Sequence, residues 1–171
     1  TSSASVYRLV ENINNQTKDQ FNRTLYSSFK LASEKVILNY CTKNNVNYNI
    51  MRLFNSFGDP NDEFSFIEKI IKSKLNKQKI SLINEGSSIR DFIHIHDVGN
   101  IFNIFIKKNA ENGIYDIGTG KGFLIKDIVN LSNFHNKFLK KINNVEEIHN
   151  SIANVESLKK IIGNYKFKNL G

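Results

Sequence analysis

The sequence is poor in residues that cross-link a chain or interrupt its helices and strands. Its 171 residues include one cysteine, one proline, one methionine and no tryptophan. A single cysteine, Cys41, excludes an internal disulfide and a zinc site built from several cysteines. A cytoplasmic location, in a reducing compartment, is therefore expected.

Long apolar runs are also absent. No stretch approaches the ~18 residues that a membrane-spanning helix needs, which excludes a transmembrane segment. Hydrophobic residues nevertheless make up 40% of the chain and aromatic residues 11%, which is enough for a folded core. With Pro60 as the one proline and no Gly/Ser-rich linker, a single domain is predicted.

Acidic residues are in the minority. The chain has 24 lysines and arginines against 16 acidic residues, a net charge of +8. Such a charge suggests nucleic-acid binding. However, only four of the basic residues are arginines, and the lysines are spread along the chain instead of clustering. A nucleic-acid-binding module is therefore the least favoured function, and nucleic acid is not an expected partner.

Apolar residues alternate between helical and strand-like spacing. Three- and four-residue spacing predicts a helix of about five turns over 25–40, capped by Thr24. The same spacing predicts further helices at 67–75, 97–106, 124–131 and 155–162, with Asp97 as an N-cap. The end of a strand running into a polar loop is predicted at 1–7, and strands are predicted at 48–54, 80–83, 89–95, 113–117 and, weakly, 138–142. This alternation predicts an α/β fold with a mainly parallel sheet.

Tyr26 and Lys30 lie four residues apart on the predicted long helix, so their side chains share one face. An ammonium stabilises a neighbouring phenolate, which can then take a proton from a hydroxyl group. The same lysine could hold the ribose hydroxyls of a cofactor. The pair alone carries little weight, because six tyrosines and 20 lysines give roughly 0.7 such pairs by chance.

Polar side chains also follow the predicted strands. A hydroxyl cluster at 1–5 and Asn55 come at strand ends, where parallel sheets bind ligands. Arg90 could clamp a phosphate bidentately. His94 and His96 lack enough neighbouring ligands for a metal site, so no metal is expected. The run Gly118-Thr119-Gly120-Lys121-Gly122 lacks the phosphate-loop pattern and is interpreted as a turn.

Taken in order, these segments resemble the C-terminal half of the extended short-chain dehydrogenase/reductases, the NAD-dependent nucleotide-sugar epimerase/dehydratase family. The matching segments are Ser2-Ser3-Ala4-Ser5-Val6-Tyr7, Tyr26-x-x-x-Lys30, Arg52-Leu53-Phe54-Asn55-Ser56-Phe57-Gly58, Arg90-Asp91-Phe92-Ile93-His94, Tyr115-Asp116-Ile117-Gly118-Thr119-Gly120 and 153–163. The third segment contains Asn55 and the fourth contains Arg90, and the fourth is the most specific.

The resemblance implies a role for each matched residue. Ser3, Tyr26 and Lys30 are the expected catalytic residues and also contact the cofactor, NAD or NADP. Phe54 is expected to touch the nicotinamide end of the cofactor through its backbone. Asn55 and Arg90 are expected to hold the diphosphate side of a nucleotide-sugar substrate.

The resemblance also implies that a part of the family fold is missing. None of the nine glycines forms the Gly-x-x-Gly-x-x-Gly turn of the family's first half. The chain is therefore expected to be an inactive fragment of a larger enzyme, a homodimer when complete. The end of a Rossmann half is predicted at about 1–58 and a substrate-binding part at about 59–171.

The residues after Ser3 narrow the reaction that the resemblance implies. Family 4,6-dehydratases carry an acid and a base there, whereas this chain has Ala4 and Ser5. The expected activity is that of a UDP-glucose 4-epimerase-like enzyme, in carbohydrate metabolism such as cell-surface polysaccharide synthesis. A ketosugar reductase of the same family, and a non-catalytic fragment or interaction subunit, remain as alternatives.

Overall fold

A computed structural model describes residues 1–7, 25–134, 139–143 and 147–170. The predicted cap Thr24 and the start of the predicted strand at 138 lie outside the described residues. Helices and strands alternate as expected, and the α/β class is confirmed. No helix within the described ranges is long and apolar enough to span a membrane.

The elements follow one another closely along the chain. In order they are β1 (Ser2–Ser3), α1 (Leu25–Asn44), β2 (Asn49–Leu53), β3 (Asn55–Phe57), α2 (Phe66–Asn76), β4 (Ile80–Ile83), β5 (Ile89–His94), α3 (Ile95–Lys108), β6 (Gly113–Ile117), β7 (Gly122–Leu124), α4 (Ile125–Leu131), β8 (Leu139–Ile142), β9 (Asn150–Ser151) and α5 (Glu156–Ile162). A 3-10 turn, Ala4–Val6, follows β1 directly.

Three strands form a parallel sheet in the order β1–β2–β6. Ser3 lies opposite Leu53, and Leu53 lies opposite Ile117, so the carboxyl ends of all three strands meet at one edge. β6 (Gly113–Ile117) belongs to this sheet although it lies far beyond residue 58 in the sequence. The predicted division at that residue therefore does not coincide with the sheet, and the two-part description remains a prediction.

The remaining strands form a four-stranded and a two-stranded sheet. β5 pairs with β3 and β9 in parallel and with β7 in antiparallel fashion, while β4 pairs in parallel with β8. Two clusters of buried side chains support these layers. The larger one packs β2, β5 and β6 against α3 and α5, and includes Ile93, Ile101, Ile117 and Leu158.

The long predicted helix is present, but its apolar residues point away from the core. Leu25, Phe29, Val36 and Tyr40 are 74%, 63%, 69% and 61% exposed. The side chains that α1 buries are Ser27, Glu34 and Cys41. The helix is rotated this way because Glu34 binds Arg52 of β2, an ion pair that helical periodicity does not reveal.

The predicted N-cap of α3 is wrong. His94 caps the helix, since its Nδ1 accepts a hydrogen bond from the His96 amide at 3.1 Å. Asp97 lies in the first turn, buried, where its carboxylate accepts hydrogen bonds of 2.8 Å from the Tyr165 hydroxyl and the Lys168 amide. Asp97 therefore anchors the C-terminal segment instead of capping a helix.

Candidate active site

The hydroxyl of Ser3 stands at the carboxyl end of β1. It accepts a hydrogen bond of 3.2 Å from the Ser5 amide and so begins the 3-10 turn. The turn continues to Val6, which is fully buried, and to Tyr7. The start of the chain is thus held in one conformation at the edge where the strands end, which is where open α/β sheets bind ligands.

Lys30 connects α1 to the residue that precedes β1. Its ammonium donates a hydrogen bond of 3.2 Å to the Thr1 carbonyl and lies 5.6 Å from the centre of the Tyr26 ring. Tyr26 is 56% exposed, so it does not point into the packed core. The structure therefore brings Lys30 to both Tyr26 and the start of β1. Convergence of the Tyr26 hydroxyl with Ser3 remains a prediction.

The residues that link β2 to β3 are held by neighbouring strands. Phe54 is buried, and its amide donates to the Ile117 carbonyl at 3.0 Å. The Asn55 side-chain amide donates to the Asp91 carbonyl at 2.9 Å. These contacts fix the path of the chain at the carboxyl end of β2, while the cofactor role of Phe54 and the substrate role of Asn55 stay predictions.

The guanidinium of Arg90 is already engaged by protein groups. It contacts Glu147 at 3.2 Å and donates to the Ile89 carbonyl at 2.8 Å. A substrate phosphate would meet this arginine beside a carboxylate. Binding of a substrate diphosphate by Arg90 stays a prediction.

Asp91, the neighbour of Arg90, is a structural centre that the sequence analysis missed. It is fully buried, and its carboxylate accepts hydrogen bonds from the Thr119 amide and hydroxyl and from the amides of Gly120 and Ala153. A Cβ on Gly118 would lie 2.7 Å from an Asp91 carboxylate oxygen. The glycines at 118–120 therefore let the backbone wrap a buried carboxylate. The run links β6 to β7, which begins at Gly122, and does not lead directly into a helix as the predicted turn would.

A second missed group links the sheet to α1. Arg52 of β2 forms two parallel hydrogen bonds to Glu34, of 3.0 and 2.8 Å. Its guanidinium carbon lies 4.6 Å from the centre of the Tyr7 ring. The Tyr7 hydroxyl donates in turn to Asp116 at 2.5 Å. The available signal was a charged residue, Arg52, inside an otherwise apolar predicted strand.

Burial and charge shift the pKa values of this group. Burial, and then the hydrogen bond to Asp116, raise the pKa of Tyr7 to about 12. Burial, the largest single effect, would raise the pKa of Glu34, but the hydrogen bonds from Arg52 and Ser2 and the nearby positive charges together outweigh it, and the pKa is lowered. The hydrogen bond to Glu34 raises the pKa of Arg52. At neutral pH the group therefore holds a neutral phenol beside a permanently charged ion pair.

Within the described residues, no cluster of three or more histidine, cysteine or acidic side chains suits a metal ion. The donors near Thr1 suit a ribose, since an ammonium and an exposed phenol offer hydrogen bonds to hydroxyl groups. No glycine-rich turn for a pyrophosphate occurs in the sequence.

Comparison with characterised proteins identifies similar sequences. The bifunctional polymyxin resistance protein ArnA of Wigglesworthia glossinidia brevipalpis is 31% identical over 125 residues, 68% of this chain and 17% of that protein. UDP-glucose 4-epimerase of Halalkalibacterium halodurans is 28% identical over 124 residues, 61% of this chain and 37% of that enzyme. The chain therefore spans less than half the length of these relatives.

Solved structures share the fold. A UDP-N-acetylglucosamine 4-epimerase from Methanobrevibacter ruminantium, in complex with UDP-N-acetylmuramic acid, matches with a TM-score of 0.74 and 25% identity, over 98% of this chain and 56% of that one. The dTDP-glucose 4,6-dehydratase of Bacillus anthracis, in complex with NAD, matches with a TM-score of 0.77 and 19% identity, over 98% of this chain and 55% of that one.

The model of one protein family matches residues 1–118, more than two thirds of the chain. The match includes Ser3, Tyr26, Lys30 and Arg90 and stops before the predicted closing segment at 153–163. It does not confirm that the chain corresponds to the C-terminal half alone. It does show that this chain belongs to the NAD dependent epimerase/dehydratase family.

Proposed function

We propose that this chain is the part of an NAD-dependent nucleotide-sugar epimerase that carries the proton-transferring side chains. The observation that carries the proposal is the position of Lys30, whose ammonium joins the end of α1 nearest Tyr26 to the start of β1. This contact brings α1 next to β1 and supports a shared site for the Tyr26 phenol, the Lys30 ammonium and the Ser3 hydroxyl.

Each of these groups has one task in the proposed reaction. Tyr26, as the phenolate, takes the proton of the sugar hydroxyl and later returns it. Lys30 stabilises the phenolate charge, because an opposite charge nearby favours the ionised form. Ser3 hydrogen-bonds the same sugar hydroxyl and fixes its position. Such general base catalysis typically contributes about 100- to 10,000-fold in rate.

NAD, when bound, supplies the acceptor for the hydride of the sugar carbon. Tyr26 and Lys30 would hold its ribose, and the backbone of Phe54 its nicotinamide end. We place the glycine-rich turn for the pyrophosphate in a part of the enzyme outside this sequence. The chain spans only 55–56% of each of these solved relatives, which supports a further part of the enzyme beyond the matched residues.

The proposed substrate is a nucleotide sugar, with Asn55 and Arg90 on its diphosphate side. Relatives named as UDP-glucose 4-epimerase and UDP-N-acetylglucosamine 4-epimerase support this class. Epimerisation is favoured over dehydration because Ala4 and Ser5 follow Ser3. Neither side chain is an effective acid or base near neutral pH, and eliminating water requires both.

The exposed apolar face of α1 supports the proposal that the complete enzyme is a homodimer. Large contiguous apolar surfaces on soluble proteins commonly mark contacts with other chains. A cytoplasmic location remains part of the same proposal, since nucleotide-sugar chemistry and a single unpaired cysteine, Cys41, both suit it.

The test is a variant series in the full-length protein that contains this sequence. Tyr26→Phe and Ser3→Ala are expected to lower turnover of the nucleotide sugar by about 100-fold or more while leaving substrate binding within a few-fold. Tyr40→Phe is the matched control, because Tyr40 lies on the same helix and is 61% exposed. Equal turnover in Tyr26→Phe and Tyr40→Phe would overturn the proposal.

A further inference from the structure

We infer that Arg52 is a positioning residue that holds the Ser3 turn and the helix of Tyr26 and Lys30 against one strand. The inference rests on the proposed function for its catalytic meaning, but its structural basis is independent of the reaction. Arg52 touches neither substrate nor cofactor in this account; it acts through the elements that carry the expected catalytic residues.

The contact with the helix fixes the rotation of α1 about its axis. The Arg52 guanidinium donates hydrogen bonds to both carboxylate oxygens of Glu34, from Nε at 3.0 Å and from Nη2 at 2.8 Å. Glu34 lies four residues after Lys30, so both side chains project from the same face of the helix. A bidentate pair resists rotation better than a single hydrogen bond, and its geometry therefore fixes where Lys30 reaches β1.

The contact with the turn fixes the chain after Ser3. The Arg52 guanidinium lies against the Tyr7 ring at 4.6 Å, and the Tyr7 hydroxyl is tied to Asp116 on β6. Arg52 also lies opposite Ser2 in the parallel pairing of β1 with β2. The one guanidinium thus contacts the residue that ends the Ser3 turn and the helix that carries Tyr26.

The chemistry of the contact requires arginine in particular. A planar guanidinium can offer two parallel N–H groups to a carboxylate and its flat face to an aromatic ring at the same time. An ammonium offers neither arrangement. The Arg52 and Glu34 side chains are only 11% and 4% exposed, so the geometry is shielded from competition by water. Arg52→Lys therefore separates the effect of charge from that of geometry. It keeps the positive charge but loses the bidentate contact with the carboxylate and the flat contact with the aromatic ring.

The first arm of the test measures the position of Lys30 without any activity. The 171-residue chain is acylated under native conditions, and the rates at Lys30 and Lys35 are compared by peptide mass spectrometry. Lys35 lies exposed on the same helix, so global unfolding changes both rates together. Arg52→Lys is expected to raise the Lys30-to-Lys35 ratio about fivefold, the change that a lost coupling of ordinary size produces.

Two further variants complete this arm. Glu34→Gln is expected to raise the ratio as Arg52→Lys does, and it replaces Arg52→Lys if that variant fails to fold. Glu85→Gln is the matched control, because it breaks an exposed ion pair with Lys141 far along the chain. An unchanged ratio in a folded Arg52→Lys or Glu34→Gln protein overturns the inference.

The second arm uses the full-length enzyme. Arg52→Lys is expected to lower kcat at least tenfold with the KM for the nucleotide sugar within about twofold, since displaced proton-transfer groups affect the reaction more than binding. Unchanged kcat alongside a raised labelling ratio would contradict a positioning role. A wild-type enzyme that turns over no nucleotide sugar would instead defeat the proposed function, and the labelling ratio would still decide whether Arg52 positions Lys30.

Discussion

Two buried carboxylates, those of Glu34 and Asp91, hold the elements of this site together, and each accepts several hydrogen bonds. Glu34 receives both arms of Arg52, and Asp91 receives amides and a hydroxyl from two separate loops. A buried carboxylate without partners would cost several kcal/mol, so each one constrains the elements that supply its donors. The positions of Asn55 and Arg90 follow from this, because they flank or contact Asp91.

Glu34→Gln is expected to destabilise the chain by about 3 kcal/mol at pH 7, because the charge of Arg52 remains buried without its counter-ion. Urea denaturation measures this difference. Glu85→Gln, in an exposed ion pair, serves as the control and is expected to change stability by less than about 0.5 kcal/mol.

The same pair predicts a pH dependence with a definite sign. Folding lowers the pKa of Glu34 below its ordinary value of 4.5. The stabilisation is therefore complete above pH 4.5 and is lost as the pH falls through the lowered value. The gap in stability between the wild type and Glu34→Gln is expected to narrow below about pH 4. A gap that stays constant to pH 3 would show that the ion pair is not the cause.

At the scale of elements, local patterns predict most helices and strands but not how they face one another. The spacing over 25–40 correctly predicts a helix, and the apolar runs at 48–54 and 113–117 correctly predict β2 and β6. The orientation of α1 depends on Glu34 meeting Arg52, a contact between residues 18 apart in sequence. Such non-local pairing leaves no periodic signal.

The short strands were missed for the same reason. β7 and β9 are strands because they pair with β5, and neither has an apolar alternation of its own long enough to predict it. Within the candidate site, Ser3, Tyr26 and Lys30 were identified through resemblance. Arg52 and Asp91 were not singled out, because their partners come from distant segments.

The exposed apolar face of α1 predicts self-association of the chain at micromolar concentration. Val36→Lys is expected to shift sedimentation toward the monomer, because Val36 is 69% exposed on that face. Ile106→Lys is the control, since Ile106 is 77% exposed on α3 instead. Equal sedimentation of all three proteins would show that the α1 face is not a contact surface.

At the scale of the whole molecule, Ser3 ends β1, an outer strand of the parallel sheet, and Lys30 of α1 contacts Thr1 just before that strand. Solved relatives have nearly half of their length beyond the part that this chain matches. In such folds the pyrophosphate of a dinucleotide rests on a glycine-rich turn at a helix N-terminus.

The chain alone is therefore expected to bind NAD weakly. Calorimetry should detect no binding at about micromolar NAD, because the backbone amides that hold a pyrophosphate in Rossmann folds have no counterpart in this sequence. A dissociation constant in the micromolar range for the 171-residue chain would contradict the division of the site between this chain and a further part.

Product analysis by NMR is the decisive test of the proposed epimerase activity. The full-length protein is incubated with NAD and, in turn, UDP-, GDP- and dTDP-hexoses. The account predicts conversion of one of these sugars into its C4 epimer, with no net loss of water, since Ala4 and Ser5 provide no acid–base pair for elimination. A 4-keto-6-deoxy product formed at an ordinary enzymatic rate, or no conversion of any of the sugars, would contradict it.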